Sequence, residues 1–202
     1  VGRNPNLCVE DMLLLTLDYY RDYTTLEKLG LYYGLDVSNA LRTINWVELT
    51  LGSYIIEPFD INKINIAEEL LVDVTECPIQ RPLNNEIQKE YYSGKKKKHT
   101  IKIQIIIEEK SKKIVFVAFD KGHIHDFNLF KESVKGLNPL AKFLADSGYQ
   151  GILDLFQNSL TPKKKSKNNP LTDEDKQLNH LISSNRIPIE HVNRQLKIFR
   201  IL

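Results

Sequence analysis

The amino-acid sequence predicts a mixed α/β protein in which a small all-α domain precedes a larger domain with a mixed sheet flanked by helices. Helical periodicity dominates the first part of the chain, and apolar runs typical of buried strands occur only after it. The 202 residues are enough for one small and one medium domain. We therefore expect a helical domain at 1–55, a connector at 56–68 and an α/β domain at 69–202.

The composition indicates a folded globular protein. Hydrophobic residues make up 42% of the chain, which is typical of a globular core, and the net charge of +2 does not by itself indicate a nucleic-acid partner. No apolar stretch approaches the roughly 18–20 residues that span a bilayer, and the N-terminus lacks a signal-peptide pattern. These features predict a cytoplasmic protein that does not bind a membrane.

The helical domain has the outline of a helix-turn-helix unit. Apolar residues recur at helical spacing from Val9 to Arg21, and Gly34 separates two further helical patterns. The last of these would expose Asn39 and Arg42 for insertion into a DNA major groove. A three-helix bundle that binds no nucleic acid fits the same pattern equally well. We expect Trp46 to lie in the core rather than stack on bases.

Strand patterns follow. Residues 70–76 form an apolar run, 99–109 and 113–122 predict a hairpin, and 141–151 contain a short strand followed by a glycine-bracketed loop. Asp73 interrupts the first run. An ionised carboxylate is costly to bury, so we expect a cation, a metal ion or a hydrogen-bond network beside it.

Three acidic residues are candidates for one site. Asp73 and Asp146 fall on strands that we expect to be neighbours, and a helix bearing Glu190 can pack against their ends. Converging carboxylates favour Mg²⁺ or Mn²⁺, and a two-ion site supports phosphodiester cleavage or strand transfer. Structural roles remain open from spacing alone: an ion pair for Asp73, a turn position before Gly148 for Asp146, and a helix N-terminus for Glu190.

Several motifs in order resemble the DDE transposases of bacterial insertion sequences, in the branch allied to Harbinger-type transposases. The motifs are DVTECPIQRP, YYSGKKKKHTIK, GHIHD, ADSGYQG, TPKKKSKNNPLT and RIPIEHVNRQLKIFRIL, and the helical region resembles the helix-turn-helix that precedes this catalytic domain. The resemblance implies an RNase H-like fold at 69–202, with Asp73, Asp146 and Glu190 holding two Mg²⁺ or Mn²⁺ ions. It also implies hydrolysis of one DNA strand at a transposon end, followed by attack of the freed 3′-hydroxyl on target DNA.

The family's final motif of Arg, Glu and Lys is similar to the segment with Arg186, Glu190 and Lys197 here. The resemblance implies that Lys197 and Arg186 contact DNA phosphates. Two features depart from the pattern: Ser183 stands where the family often has tyrosine, and Pro188 must kink the helix or start a new one. A break there would free Arg186 from the helical face of Glu190.

Two lysine runs, Lys95–Lys98 and Lys163–Lys165 with Lys167, are expected to contact the DNA backbone. Their central members are Lys96, Lys97, Lys164 and Lys165. Such contacts would give affinity and salt dependence without sequence readout. Solvated loops fit the same runs. The implied partners are double-stranded DNA of terminal repeats and target, and a homo-oligomer assembled on DNA in the bacterial cytoplasm, associated with the nucleoid when bound.

One alternative is a catalytically inactive, truncated DNA-binding relic of a transposase. The first residue is not methionine and the chain stops in an apolar segment, so we expect it to be truncated. A host regulatory protein that uses only the helical domain is a weaker alternative, because it gives no reason to retain three acids.

Overall fold

The computed structural model describes residues 6–55, 64, 68–166 and 170–201. Most of the expected connector at 56–68 lies outside these residues, and so does Lys167. The chain divides into two compact units, Val1–Pro58 with Arg194–Leu202, and Phe59–Asn193. Among the described helices, none combines the length and apolar character that crossing a membrane requires.

The first unit is built on three helices, as the sequence predicts. They are α1 (Val9–Asp22), α2 (Leu26–Tyr33) and α3 (Val37–Ile55). Gly34 ends α2 in the left-handed conformation, with φ at 65°, which glycine adopts without a steric cost. Leu15, Leu29 and Ile44 meet in the core, one residue from each helix. The short turn between α2 and α3 gives the helix-turn-helix arrangement.

The prediction that Trp46 lies in the core is wrong. Its side chain is 49% exposed on α3, and Tyr23 and Tyr32 are more exposed still. Tyr19 and Tyr33 do pack against the core cluster of this unit. Helical periodicity places Trp46 near the apolar face but does not decide how far a large ring extends beyond it.

The second unit is a five-stranded mixed sheet flanked by helices, which confirms the predicted class. The elements are β1 (Glu69–Pro78), α4 (Asn85–Tyr91), β2 (Tyr92–Ser93), β3 (Lys98–Glu108), β4 (Ile114–Lys121), α5 (Asp126–Ser133), β5 (Lys142–Leu144), a 3₁₀ turn (Ser147–Tyr149), α6 (Ile152–Leu155), α7 (Asp173–Asn185) and α8 (Ile187–Leu196). The strand order is β2-β3-β1-β5, and β4 pairs with β3. β3 and β4 form the predicted antiparallel hairpin, whereas β1 and β5 are parallel.

The sheet's core follows from the two-residue alternation of β1. Leu70 and Val72 point to one face, where they pack with Ile106, Phe130 and Phe143 under α5. Asp73 and its odd-numbered neighbours point to the opposite face. The charge in the apolar run therefore avoids the aromatic cluster, and it lies on the face where its partners from the C-terminal helices are found.

The C-terminal helical pattern breaks at Arg186. α7 ends at Asn185, and α8 begins at Ile187 with Pro188 in its first turn, where a missing N–H costs nothing. The expected effect of Pro188 is confirmed. Arg186 is left between the two helices, so its side chain is not bound to the helical face of Glu190.

Candidate active site

Asp73 lies in the middle of the sheet. It stands on β1, opposite Ile105 of the antiparallel neighbour β3, and its side chain is 24% exposed. β5 pairs with the other side of β1. The β5 pairing ends at Leu71, two residues before Asp73, and the β3 pairing holds the Asp73 backbone itself, so the carboxylate stands at a defined point of the sheet's face.

Two side chains bind the Asp73 carboxylate. Arg186 donates from Nη2 to Oδ1 over 3.2 Å, and Asn193 donates from Nδ2 to Oδ2 over 2.7 Å. Arg186 is 11% exposed and Asn193 is 7% exposed. The sequence predicts a cation, a metal ion or a hydrogen-bond network beside Asp73, and the structure has a cation and an amide there. Arg186, which the resemblance assigned to a DNA phosphate, is bonded to Asp73 in the structure.

Asp146 lies at the end of β5 and caps the 3₁₀ turn. Its Oδ1 accepts a hydrogen bond from the backbone N–H of Gly148 over 2.7 Å. Gly148 permits this approach, because a Cβ at that position would lie 2.8 Å from the same oxygen. Leu71 pairs with Leu144 in the β1–β5 register, so continuing that register by two residues would put Asp146 level with Asp73.

Glu190 belongs to the first turn of α8 and is exposed. Ile189 beside it is fully buried and fixes that turn against the second unit. Lys197 is exposed and directly follows α8. Glu190 thus presents an exposed side chain from the start of α8.

The three acids act on one another electrostatically. Burial raises the pKa of Asp73 from 3.8 to about 6, Arg186 opposes this rise, and the charges of Asp146 and Glu190 add to it. Asp146 and Glu190 are therefore near enough to act on Asp73, whereas the convergence of all three acids in one metal site stays a prediction. Burial outweighs the guanidinium of Arg186, so the Asp73 carboxyl releases its proton less readily than a carboxyl in water.

Tyr149 and a buried ion pair lie close by. Burial raises the pKa of Tyr149, and the charges of Asp73, Asp126 and Asp146 add to that rise. Lys102, 7% exposed, donates 2.6 Å hydrogen bonds from Nζ to Asp126 and to the Ile124 carbonyl. Sequence reasoning missed Lys102, whose signal was a charge in an otherwise apolar strand.

Asp126 begins α5 and does not cap it. His125 caps α5, since its Nδ1 accepts from the backbone N–H of Phe127, and Asp126 is the first helical residue. Lys102 binds the Asp126 carboxylate because its buried ammonium has little access to water and needs an anionic partner. The strand lysine therefore links the sheet to α5.

Metal-binding capacity depends on the oxygens of the three acids. Carboxylate oxygens are the donors that Mg²⁺ and Mn²⁺ prefer, so the chemistry of this set fits such an ion. The distances do not add to this argument. Within the described residues, no group of three or more acidic, histidine or cysteine side chains is close enough to hold a metal. Both Asp73 oxygens are bonded to Arg186 and Asn193 instead.

The DNA-contact candidates on the second unit are exposed. Lys96 and Lys97 lie in the turn between β2 and β3, where Lys97 adopts a positive φ of 56°. Lys164 and Lys165 are exposed in the segment before α7. These positions are compatible with contacts to a backbone and do not exclude solvated loops.

The DNA-contact candidates on the first unit form a hydrogen-bonded chain at the start of α3. Asp36 accepts from the side chain and backbone N of Asn39 over 2.6 and 2.9 Å, and Asn39 accepts from Arg42 over 3.0 Å. Asp36 and Arg42 are exposed, and Asn39 is half-buried. Asn39 and Arg42 are therefore held side by side on the helix that a helix-turn-helix unit inserts into DNA.

Two family models match the chain. One, described as DDE superfamily endonuclease, matches residues 72–202, and one described as the helix-turn-helix of DDE superfamily endonuclease matches residues 5–53. The chain is also 42% identical over 206 residues to a protein of Microchaete diplosiphon named "Probable transposase for insertion sequence element IS702". That alignment covers 100% of this chain and 74% of the relative.

Proposed function

Because the chain belongs to the DDE superfamily endonucleases, with a helix-turn-helix domain of the same superfamily before the endonuclease domain, we propose that it acts as the transposase of an insertion sequence. It would cut DNA at the ends of that element and join them to target DNA. The single observation behind this proposal is that Asp146 and Glu190 both raise the pKa of Asp73. This supports a site to which β1, the segment after β5 and α8 would each contribute one acid, and nothing observed favours an inactive relic.

Asp73, Asp146 and Glu190 would hold Mg²⁺ or Mn²⁺, two ions in all. Their oxygen donors and uncompensated charge support this assignment. When bound, such ions activate an attacking oxygen and stabilise the leaving oxygen of a phosphodiester. The protein's own part is to fix Asp73 on a central strand, to hold Asp146 through the Gly148 N–H, and to present Glu190 from the start of α8.

The test is metal-dependent nicking of a labelled duplex that carries the end of the insertion sequence. We expect the full chain to nick it with Mn²⁺ or Mg²⁺, and Asp73→Ala and Glu190→Ala to lose nicking at least a hundredfold. Glu132→Ala, which removes an exposed acid on α5, is the matched control and should nick normally. A folded chain that binds the duplex and never nicks it with either metal would contradict the enzymatic proposal.

DNA would be bound by both units. Asn39 and Arg42 would read bases from α3, whereas Lys96, Lys97, Lys164, Lys165 and Lys197 would contact phosphates. Arg186 is 11% exposed and bonded to Asp73, so it would act at the carboxylate site instead. Replacing Lys96 and Lys97 by Ala should lower the slope of log K against log salt by about two, because each lost phosphate contact retains about one counterion. The measurement is fluorescence anisotropy at several salt concentrations. An unchanged slope would mean that this run is a solvated loop.

Arg42→Ala should instead weaken binding to the element's end more than binding to unrelated duplex, since base contacts specify sequence. Joining two ends requires at least two active sites, so we propose a homo-oligomer on DNA, acting at the bacterial nucleoid. Light scattering of the protein–DNA complex would test the oligomer. A one-to-one complex that still joins two ends would contradict it.

A further inference from the structure

We propose that Asn193 is a positioning residue of the carboxylate site and supplies it with a fourth oxygen. This inference rests on the proposed metal-dependent function, but its test does not use nuclease activity. No motif in the sequence singled out Asn193. It stands out in the structure because it is a residue of α8 that bonds directly to Asp73.

Asn193 occupies a position where an apolar residue would be expected. It is 7% exposed, and it follows the fully buried Ile189 by four residues, so the two share the inward face of α8. Asn is a poor helix former and a costly residue to bury without full hydrogen bonding. A leucine would fit the pattern of this face. The amide therefore needs an explanation other than packing.

Its first role is to orient Asp73. Nδ2 donates to Asp73 Oδ2 over 2.7 Å while Arg186 donates to Oδ1 over 3.2 Å, so each carboxylate oxygen has its own donor. A carboxylate held from both sides cannot rotate about its terminal bond. The Asn193 bond is the shorter of the two, and it adds no charge that would compete with a cation.

Its second role concerns the other atom of the amide. Asn193 Oδ1 is buried and has no hydrogen-bond partner among the described residues. Only one carbon separates it from Nδ2, so it lies in the immediate surroundings of Asp73. Glu190 precedes Asn193 by three residues and neighbours it on the helix surface. An amide oxygen is a hard donor suited to Mg²⁺ or Mn²⁺, and this one is unused.

A neutral ligand suits the site better than a fourth acid. Asp146 and Glu190 already act against the charge of Asp73, and a further carboxylate would increase that repulsion in the metal-free protein. Asn adds an oxygen without a charge and uses its nitrogen to hold Asp73. One residue therefore connects a carboxylate of the sheet to a carboxylate of α8.

The experiment measures Mn²⁺ binding to the full chain without DNA, from the electron paramagnetic resonance signal of free Mn²⁺. We expect Asn193→Leu, which keeps the volume but removes both polar atoms, to weaken binding at least tenfold, as losses beside metal ligands commonly do. Asn193→Asp keeps an oxygen donor and should bind within threefold of the unaltered chain. Circular dichroism checks that each variant is folded, and Asn193→Ala replaces the leucine variant if that one fails to fold.

Two results would overturn the inference and are distinguishable. If the unaltered chain and Asn193→Leu bind Mn²⁺ equally, Asn193 only packs, and the proposed function is untouched. If the unaltered chain binds no Mn²⁺ at all, the metal site fails together with the proposed function. Weak binding by the leucine variant with restored binding by Asn193→Asp would support the fourth-oxygen role, because a residue that only packs would not distinguish Asp from Leu.

Discussion

Replacing Arg186 by Gln should destabilise the second unit through its effect on Asp73. The guanidinium is the only cation bonded to Asp73 among the described residues. Without it, burial and the charges of Asp146 and Glu190 would act on Asp73 unopposed. The substitution therefore isolates how much of the fold's stability depends on a cation at the carboxylate site.

The magnitude follows from burial. Arg186 and Asp73 are 11% and 24% exposed, and removing one partner of a buried ion pair costs about 3–5 kcal/mol. Asp73 keeps its bond to Asn193 and some contact with water, so we expect about 2–3 kcal/mol, at or just below the lower end of that range. At a urea dependence of about 2 kcal/mol per molar, the unfolding midpoint should fall by about 1–1.5 M.

The assay is urea unfolding of a double-mutant cycle, followed by circular dichroism at pH 7.5 without metal. Arg186→Gln is compared with Asp73→Asn and with the double variant, which should recover at least about 1 kcal/mol of the summed losses. Lys89→Ala breaks an ion pair with side chains 74% and 78% exposed and should change stability by less than about 0.5 kcal/mol. Additive losses, or an Arg186→Gln loss no larger than that of the control, would refute the reasoning.

Three further predictions concern single positions. Gly148→Ala should displace Asp146, because the new Cβ would lie 2.8 Å from its Oδ1, and should reduce nicking with little change in DNA affinity measured by anisotropy. Gly30→Ala should instead lower DNA affinity with little effect on nicking itself. Its Cβ would lie 2.5 Å from the backbone oxygen of Leu35 and distort the turn before α3. Metal-free protein should lose about 3 kcal/mol of stability as the pH rises from 4 to 6. The pKa of Asp73 is about 6 in the folded protein and 3.8 in the unfolded chain, so between these values folded Asp73 retains a proton that the unfolded chain has released. Urea midpoints across that range should show the decline, and Asp73→Asn should remove it.

The pairing of β1, which carries Asp73, with β5, which precedes Asp146, is predictable because it depends on local patterns. Two apolar runs in a mixed sheet are neighbours often enough that acids near their ends are expected together. The break at Pro188 was equally readable, since proline removes one N–H and fixes φ. Each of these features depends on a few adjacent residues, which is the range over which sequence patterns carry reliable information.

Other parts of the site depend on distances between segments far apart in sequence. Arg186 lies 113 residues from Asp73 and Asn193 lies 120 residues from it, and nothing in the local pattern reveals either bond. Lys102 and Asp126 illustrate the same limit. Their ion pair joins residues that are 24 positions apart in the sequence. An asparagine at a helical position of apolar periodicity was the one available signal for Asn193.

The balance of charge around Asp73 links these residues. Lys102 and Asp126 neutralise each other, so the remaining charges are three carboxylates and the guanidinium of Arg186. With all three ionised, two negative charges are uncompensated, and the charges of Asp146 and Glu190 add to the rise in the pKa of Asp73 that burial causes. One divalent cation would cancel that excess while Arg186 stayed in place, whereas two ions would leave a positive excess of two. A second ion is therefore expected to need the negative phosphates of DNA, so metal-free protein should bind Mn²⁺ with a stoichiometry near one and approach two only with duplex present.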